Sequence, residues 1–196
     1  MAHHFFALIS RMRYIGRWGL MRNTFEENIQ EHSHMVAVLA HALAVIRRDV
    51  FGGDIDPGQA AVLALYHDAP EIFTGDLPTP VKYANPAIQT AYKAVEADAA
   101  QRLVAMLPQE MRPAFAALLE ESDPEVLVLV KAADKLSAHL KCLEELKAGN
   151  REFQSAAQQT RAALDAFHLP ELDYFLAEFL PAFPLTLDEL QADAQA

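Results

Sequence analysis

A chain of 196 residues, 52% hydrophobic and 22% charged, is long enough to bury one substantial core and has the balance of a soluble globular domain. No apolar run approaches the roughly 20 residues that span a bilayer, and the single Cys142 supports neither an intrachain disulfide nor a thiolate metal site. A formal charge of −11 argues against polymeric nucleic acid as a partner, because neutralising a phosphate backbone takes a basic surface.

In chain order, Met1 to Gly16 has no long apolar stretch with a small-residue cleavage site, which points to a cytoplasmic location. A first helix is predicted over Ala2 to Arg13, followed by a loop from Gly16 to Asn23. A second helix starts near Asn28 and runs to about Val50, where Gly52-Gly53 stops it. A third begins at Pro57, a residue suited to a first turn, and runs past Tyr66. The segment Thr74-Gly75-Asp76-Leu77-Pro78-Thr79-Pro80 is too rich in Gly and Pro for regular helix. Asn85-Pro86 opens a helix to about Leu107, and Pro108 to Glu121 is a short helical stretch. Asp123-Pro124 caps the longest pattern, which ends at Gly149-Asn150, and two or three helices broken around Pro170, Pro181 and Pro184 complete the chain. No stretch alternates with period two for long enough to make a strand, and no repeat or linker divides the chain. The expected fold is all-α, a single domain over 1–196.

Three of these helices carry the chemistry. The apolar stripe of the second reads Ile29, His32, Val36, Leu39, Leu43, Ile46, which places an imidazole on the buried face. The third reads Ala61, Ala64, Leu65, Asp68, with His67 adjacent, and the longest reads Leu127, Val130, Asp134, Ala138. A buried unpaired carboxylate costs several kcal/mol. Lys131 and Lys135 are near in sequence but do not share the stripe of Asp134, so a divalent cation held by His32, His67, Asp68 and Asp134 is the fitting compensation. This mixed nitrogen and oxygen set suits Mn, Fe, Co or Zn better than Mg or Ca. Glu71, four residues after His67 and three after Asp68, is placed either as an acid/base or as an exposed helix-end carboxylate. The first 50 residues hold six Lys/Arg against four Asp/Glu, in contrast to the acidic remainder. The cluster Arg11, Arg13, Arg17 and Arg22 suits a small phosphate-bearing ligand as well as it suits plain surface solvation.

His32, His67-Asp68 and the distant Asp134 match the H…HD…D pattern of the HD-domain phosphohydrolases. The surrounding segments are more specific: Phe5-Phe6, Arg17-Trp18, Met21-Arg22-Asn23, Glu31-His32-Ser33, Gly75 through Tyr83, Leu140-Lys141-Cys142-Leu143-Glu144-Glu145-Leu146 and Asp173-Tyr174-Phe175. Over essentially the whole chain they resemble the bacterial 5'-deoxynucleotidases of the YfbR type. The resemblance implies an HD-domain helical bundle with a metal site between three core helices. It also implies removal of phosphate from deoxyribonucleoside 5'-monophosphates, a divalent transition metal such as cobalt, and a homodimer. Carried over by position, Arg17 orients the phosphate and Trp18 lines the sugar pocket. Asp76, Leu77, Pro78 and Thr79 form a loop favouring a 2'-deoxy sugar, Asp68 and Asp134 touch both metal and substrate, and Glu71 serves proton transfer. Two positions depart from the pattern: His34, where an apolar residue is more usual, and Pro70, where a small polar residue is. His139 is expected near the inner face of the long helix, lining the pocket.

Two rivals remain open at this level. One is an HD hydrolase of another nucleotide (a deoxynucleoside triphosphate, a cyclic nucleotide or an alarmone), although a triphosphate calls for more cations than Arg17 and Lys82. The other is a non-catalytic HD module that senses a nucleotide.

Overall fold

A computed structural model describes residues 3–82, 84–120 and 123–193. Ala2, Tyr83 and Glu121, which the sequence pattern assigned to the first helix, the substrate-loop segment and a helix end, lie outside the described residues. The described residues form helices, and the sole strand-like feature among them is an isolated antiparallel bridge between Gly16 and Asn28. No described helix is long and apolar enough to cross a membrane.

Helix α1 (Phe5–Ile9) tightens into a 3-10 turn over Ser10–Tyr14, so the first predicted helix is real but not uniform. Helix α2 (Ile29–Val45) begins at a complete capping box. The Asn28 side chain accepts the N–H groups of Gln30 and Glu31, and the Glu31 carboxylate returns to the Asn28 N–H. It runs on into a π turn over Ile46–Val50, and Gly52 then leaves the helix with φ +71. Helix α3 (Pro57–Tyr66) starts on an Asp56 cap. It ends at Tyr66, earlier than its pattern suggests, because the ring of Pro70 clashes with the carbonyl four residues back. His67 to Pro70 therefore form a turn, and Glu71 opens a separate short helix, α4 (Glu71–Thr74).

The Gly- and Pro-rich segment that follows is less irregular than its composition implies. Thr79–Lys82 form a single helical turn, α5, with Pro80 in the first turn, where its missing N–H costs nothing. Next come α6 (Pro86–Ala105) on an Asn85 cap, α7 (Arg112–Leu119) and α8 (Pro124–Lys147) on an Asp123 cap. The C-terminal part is α9 (Gln154–Asp165), α10 (Pro170–Glu178) and α11 (Leu187–Asp193).

The core lies where α2 packs on α3 and α8, closed below by α10. The stripe of α2 is buried as its periodicity predicts, from Ile29 through His32 to Ile46. The other two stripes are rotated. On α3 the buried face is Ala60, Leu63 and Ala64, with Leu65 43% exposed, and on α8 it is Val126, Leu129, Val130, Ala133, Leu136 and Leu140. Short stretches rich in Ala and Leu fit two adjacent faces equally well, and packing against α2 chose between them. At the far end of α2, Arg47 donates to the buried Glu171 through Nε at 2.9 Å and to Glu125 through Nη1 at 3.2 Å, tying α2 to α10 and α8.

The cap that sets the start of α2 lies four residues before His32. Replacing Asn28 by Ala should cost about 1 kcal/mol, lowering the melting temperature by about 2–4 °C for a chain of this size. A thermal melt checks this, and an unchanged midpoint would show that the capping box contributes nothing.

Candidate metal centre

His67 and Asp68 stand in the turn that Pro70 creates, facing His32 on α2 and Asp134 on α8. His67 Nδ1–H donates to the Ala64 carbonyl at 2.7 Å, the only role open to it because a carbonyl can only accept. That bond orients the ring and leaves Nε2 as the nitrogen that could ligate a metal. Nε2 is buried and makes no hydrogen bond, although it lies 3.1 Å from Asp68 Oδ2.

His32 is fully buried, with Nδ1 3.2 Å from Ser137 Oγ and Nε2 3.5 Å from Asp68 Oδ2 and 3.0 Å from Asp134 Oδ1. In the tautomer that frees Nε2 to coordinate, Nδ1–H donates to Ser137. His32, His67 and Asp68 each bring one ligand atom to within 4.8 Å of one another. Asp134 joins at the rim through His32, and its side chain is 37% exposed rather than buried as its position in the helical pattern suggested. An orphaned imidazole nitrogen, two oriented rings and two carboxylates fit a divalent cation bound by mixed nitrogen and oxygen ligands.

The charges respond to this crowding. Burial alone would lower the His67 pKa, but the adjacent Asp68 overrides it and pushes it up to about 9. Partial desolvation at the rim works to raise Asp134, yet the hydrogen bond and charge of His32 hold its carboxyl well below the usual range. Glu71 goes the other way. It is 5% exposed, its Oε2 has no partner, and burial followed by repulsion from Asp68 and Asp76 raises it to about 9. It is therefore a buried, protonated carboxyl and not an exposed helix-end carboxylate. With His67, Asp68, Pro70 and Glu96 it lines a concavity of about 220 Å³. A larger open groove of about 550 Å³ lies on the α8–α9 surface, lined by Leu146, Gln154 and Arg161, and contains none of these groups.

Arg17 extends Nη1 to within 3.5 Å of Asp68 Oδ2, so the loop before α2 puts one guanidinium at the metal cluster. Arg11, Arg13 and Arg22 are exposed. Trp18, next in sequence, is partly buried against Phe153 with ring centroids 5.2 Å apart. Its backbone has φ +59, a left-handed conformation that costs a non-glycine residue of order 1–3 kcal/mol. Gly75, at φ +71 and ψ 167, occupies a region open only to glycine and directs Asp76, Leu77 and Pro78 into half-buried positions, with Thr79 exposed. Asp76 feels both Arg17 and Asp68, and burial raises its pKa.

One residue expected at the pocket is elsewhere. His139 faces away from the cluster, with Nδ1 2.9 Å from Thr160 Oγ1 on α9. Lys82 is engaged by Glu96 at 2.9 Å and lies 4.6 Å from the centre of the Tyr92 ring. Sequence periodicity missed Ser137, the Ala64 carbonyl and Glu27. The first two act through spacing of i to i+3 or across helices, while Glu27 sits in a loop that has no periodicity to read.

The model of the 5'-deoxynucleotidase YfbR-like family matches residues 4–183. The chain belongs to that family. It is 53% identical over 194 residues, 97% of each chain, to the 5'-deoxynucleotidase YfbR of Shigella boydii, and 52% identical over 193 residues to a 5'-deoxynucleotidase of Cronobacter sakazakii. Among solved structures it is similar to an HD-domain phosphohydrolase from Listeria innocua, with a TM-score of 0.80 at 26% identity, covering 92% of this chain and 88% of that one. It is also similar to an HD phosphohydrolase of cyanophage S-2L, solved with dA and one catalytic Zn2+, with a TM-score of 0.64 at 26% identity over 92% and 96% of the two chains. The fold is thus the HD-domain helical bundle, with its candidate metal site between core helices.

Because metal must displace the proton from His67, affinity for Mn2+ should keep rising with pH from 7 up to about 9 and then level off. Calorimetric titration in buffers of different ionisation enthalpy checks this through the protons released. Affinity that is flat above pH 7 would show that His67 titrates like a free imidazole.

Proposed function

We propose that the protein is a metal-dependent 5'-deoxynucleotidase, hydrolysing deoxyribonucleoside 5'-monophosphates to deoxyribonucleoside and phosphate. Its family membership supports this, and the observation that carries it is the meeting of His32, His67 and Asp68 around one point with Arg17 beside it. In this reading His32, His67, Asp68 and Asp134 hold the cation. When bound, it draws charge from the phosphoryl oxygens and lowers the pKa of the attacking water.

The remaining work falls to the chain itself. The Arg17 guanidinium keeps N–H donors free for the phosphate oxygens and sets the ester in line for attack. Asp68 orients the incoming water. As the bond from phosphorus to O5' breaks, Glu71 gives its proton to that oxygen, a role for which its burial, which favours the neutral carboxyl, equips it. Trp18 and the Asp76–Thr79 loop take the sugar, and the stiffness that Pro78 and Pro80 give the backbone limits the entropy lost on closing around it. A monophosphate suits the available charge, because Lys82 is already paired with Glu96. The chain acts as one domain over 1–196, as a cytoplasmic homodimer, with Co2+, Mn2+, Fe2+ or Zn2+ as the metal and without contact to membrane or nucleic-acid polymer.

Phosphate release from matched dAMP and AMP by metal-stripped protein supplied with Co2+ or Mn2+ tests this. Release from dAMP should depend on metal and exceed that from AMP. Glu71→Gln should lower kcat by about 10²–10⁴-fold with metal still bound, and Asp68→Ala should abolish both binding and turnover. Equal hydrolysis of the two nucleotides would refute sugar selection. Metal binding with no release from either would favour a nucleotide sensor.

A further inference from the structure

The loop carrying Arg17 and Trp18 contains a third side chain that binds both. Glu27 Oε2 accepts the Nε–H of Arg17 at 3.2 Å and the indole N–H of Trp18 at 2.8 Å. We infer that Glu27 is a positioning residue that, through this one oxygen, fixes the phosphate-binding guanidinium and the sugar-facing indole together. The inference rests on the roles proposed above for Arg17 and Trp18.

The geometry gives Glu27 this task and little else. It lies opposite Arg17 where the loop closes: the Arg17 N–H donates to the Glu27 carbonyl at 2.8 Å, and the Ile29 N–H to the Ile15 carbonyl at 3.0 Å. Arg17 is thus held by backbone and side chain of the same residue. With Nε–H engaged, the plane of the guanidinium is set and its two outer nitrogens point onward, Nη1 toward Asp68. The same oxygen fixes the indole edge while Phe153 supports its face. Glu27 is only 13% exposed, so both bonds are shielded from competing water.

The loop does not need Glu27 to stay in place. Its far limb is fastened to α8 by other groups. The buried Glu145 accepts from the Thr24 N–H and hydroxyl and from Asn150 Nδ2, Lys141 Nζ donates to the Phe25 carbonyl at 2.8 Å, and Asn150 Nδ2 also donates to the Arg22 carbonyl. Removing the Glu27 carboxylate should therefore release two side chains without unfolding the loop. Orientation of the phosphate and recognition of the sugar then share one anchor and fail together.

Trp18 is the sole tryptophan, so its fluorescence reports the indole independently of turnover. In metal-loaded Glu27→Ala, acrylamide quenching of that emission should rise about twofold or more. The kcat/KM for dAMP should fall about tenfold or more, and the dAMP to AMP ratio should drop, with circular dichroism and metal stoichiometry as in wild type. Glu27→Gln separates the two duties. Its amide oxygen still accepts from the indole, so quenching and the dAMP to AMP ratio should return toward wild type. Toward Arg17 Nε–H the same neutral oxygen is a weaker acceptor than a carboxylate, so kcat/KM should recover only in part. Wild-type quenching and a ratio within about twofold in Glu27→Ala, or full kcat/KM in Glu27→Gln should the alanine variant not fold, would overturn the inference. If wild type itself releases no phosphate from dAMP, the proposed function fails, while the quenching comparison still decides the place of Glu27.

Discussion

A single carboxylate oxygen organises this molecule. Asp68 Oδ2 lies 3.1 Å from His67 Nε2 and 3.5 Å from both His32 Nε2 and Arg17 Nη1, so groups from α2, from the turn after α3 and from the loop before α2 all converge on it. A carboxylate this enclosed is expensive unless compensated. Without metal, the proton that Asp68 keeps on His67 supplies part of the compensation. A divalent cation would supply more, because it would answer Asp68 and Asp134 at once and use the imidazole lone pairs instead of opposing them. Glu71 completes the electrostatic picture, since burial first, and then the negative charge of Asp68 and Asp76, push its carboxyl toward the neutral form.

The fold serves this arrangement through local rules. Pro70 ends α3 one turn early and swings His67 and Asp68 out of the helical array into a turn, where both side chains can face the same point. The capping box at Asn28 fixes the first turn of α2 and with it the depth of His32. The strained backbone of Trp18 sits in a loop fastened at Arg22, Thr24 and Phe25, the kind of over-determination that lets a left-handed tryptophan persist.

Helix content and the H…HD…D spacing were legible in the sequence because they rest on period 3.6 and on residue type alone. The helix starts at Asn28, Asn85 and Asp123 were legible for the same reason, since a short polar side chain before a helix has a local function. What was not legible depends on tertiary packing. The buried faces of α3 and α8 differ from their simplest stripes because α2 chose which residues to cover, and Leu65 ended exposed. His139 reads as a pocket residue by spacing yet pairs with Thr160, a partner 21 residues away that no local pattern announces. Glu27 is invisible for a similar reason: its partners are set by how a loop closes, and loop closure leaves no periodic trace. The protonated state of Glu71 could not be read either, because it follows from burial and from charges the sequence does not place in space.

The cluster around Asp68 has the donor set and the uncompensated charge to hold a divalent cation. Thermal melting of metal-stripped protein with and without Mn2+ tests it most directly. At a metal concentration of about 100 times Kd, binding to the native state adds about 2.7 kcal/mol, which for a chain of this size raises the melting temperature by about 5–10 °C. The account predicts that rise in wild type and its loss in Asp68→Ala. A wild-type midpoint that does not move with metal, or a variant that moves as far as wild type, would contradict it.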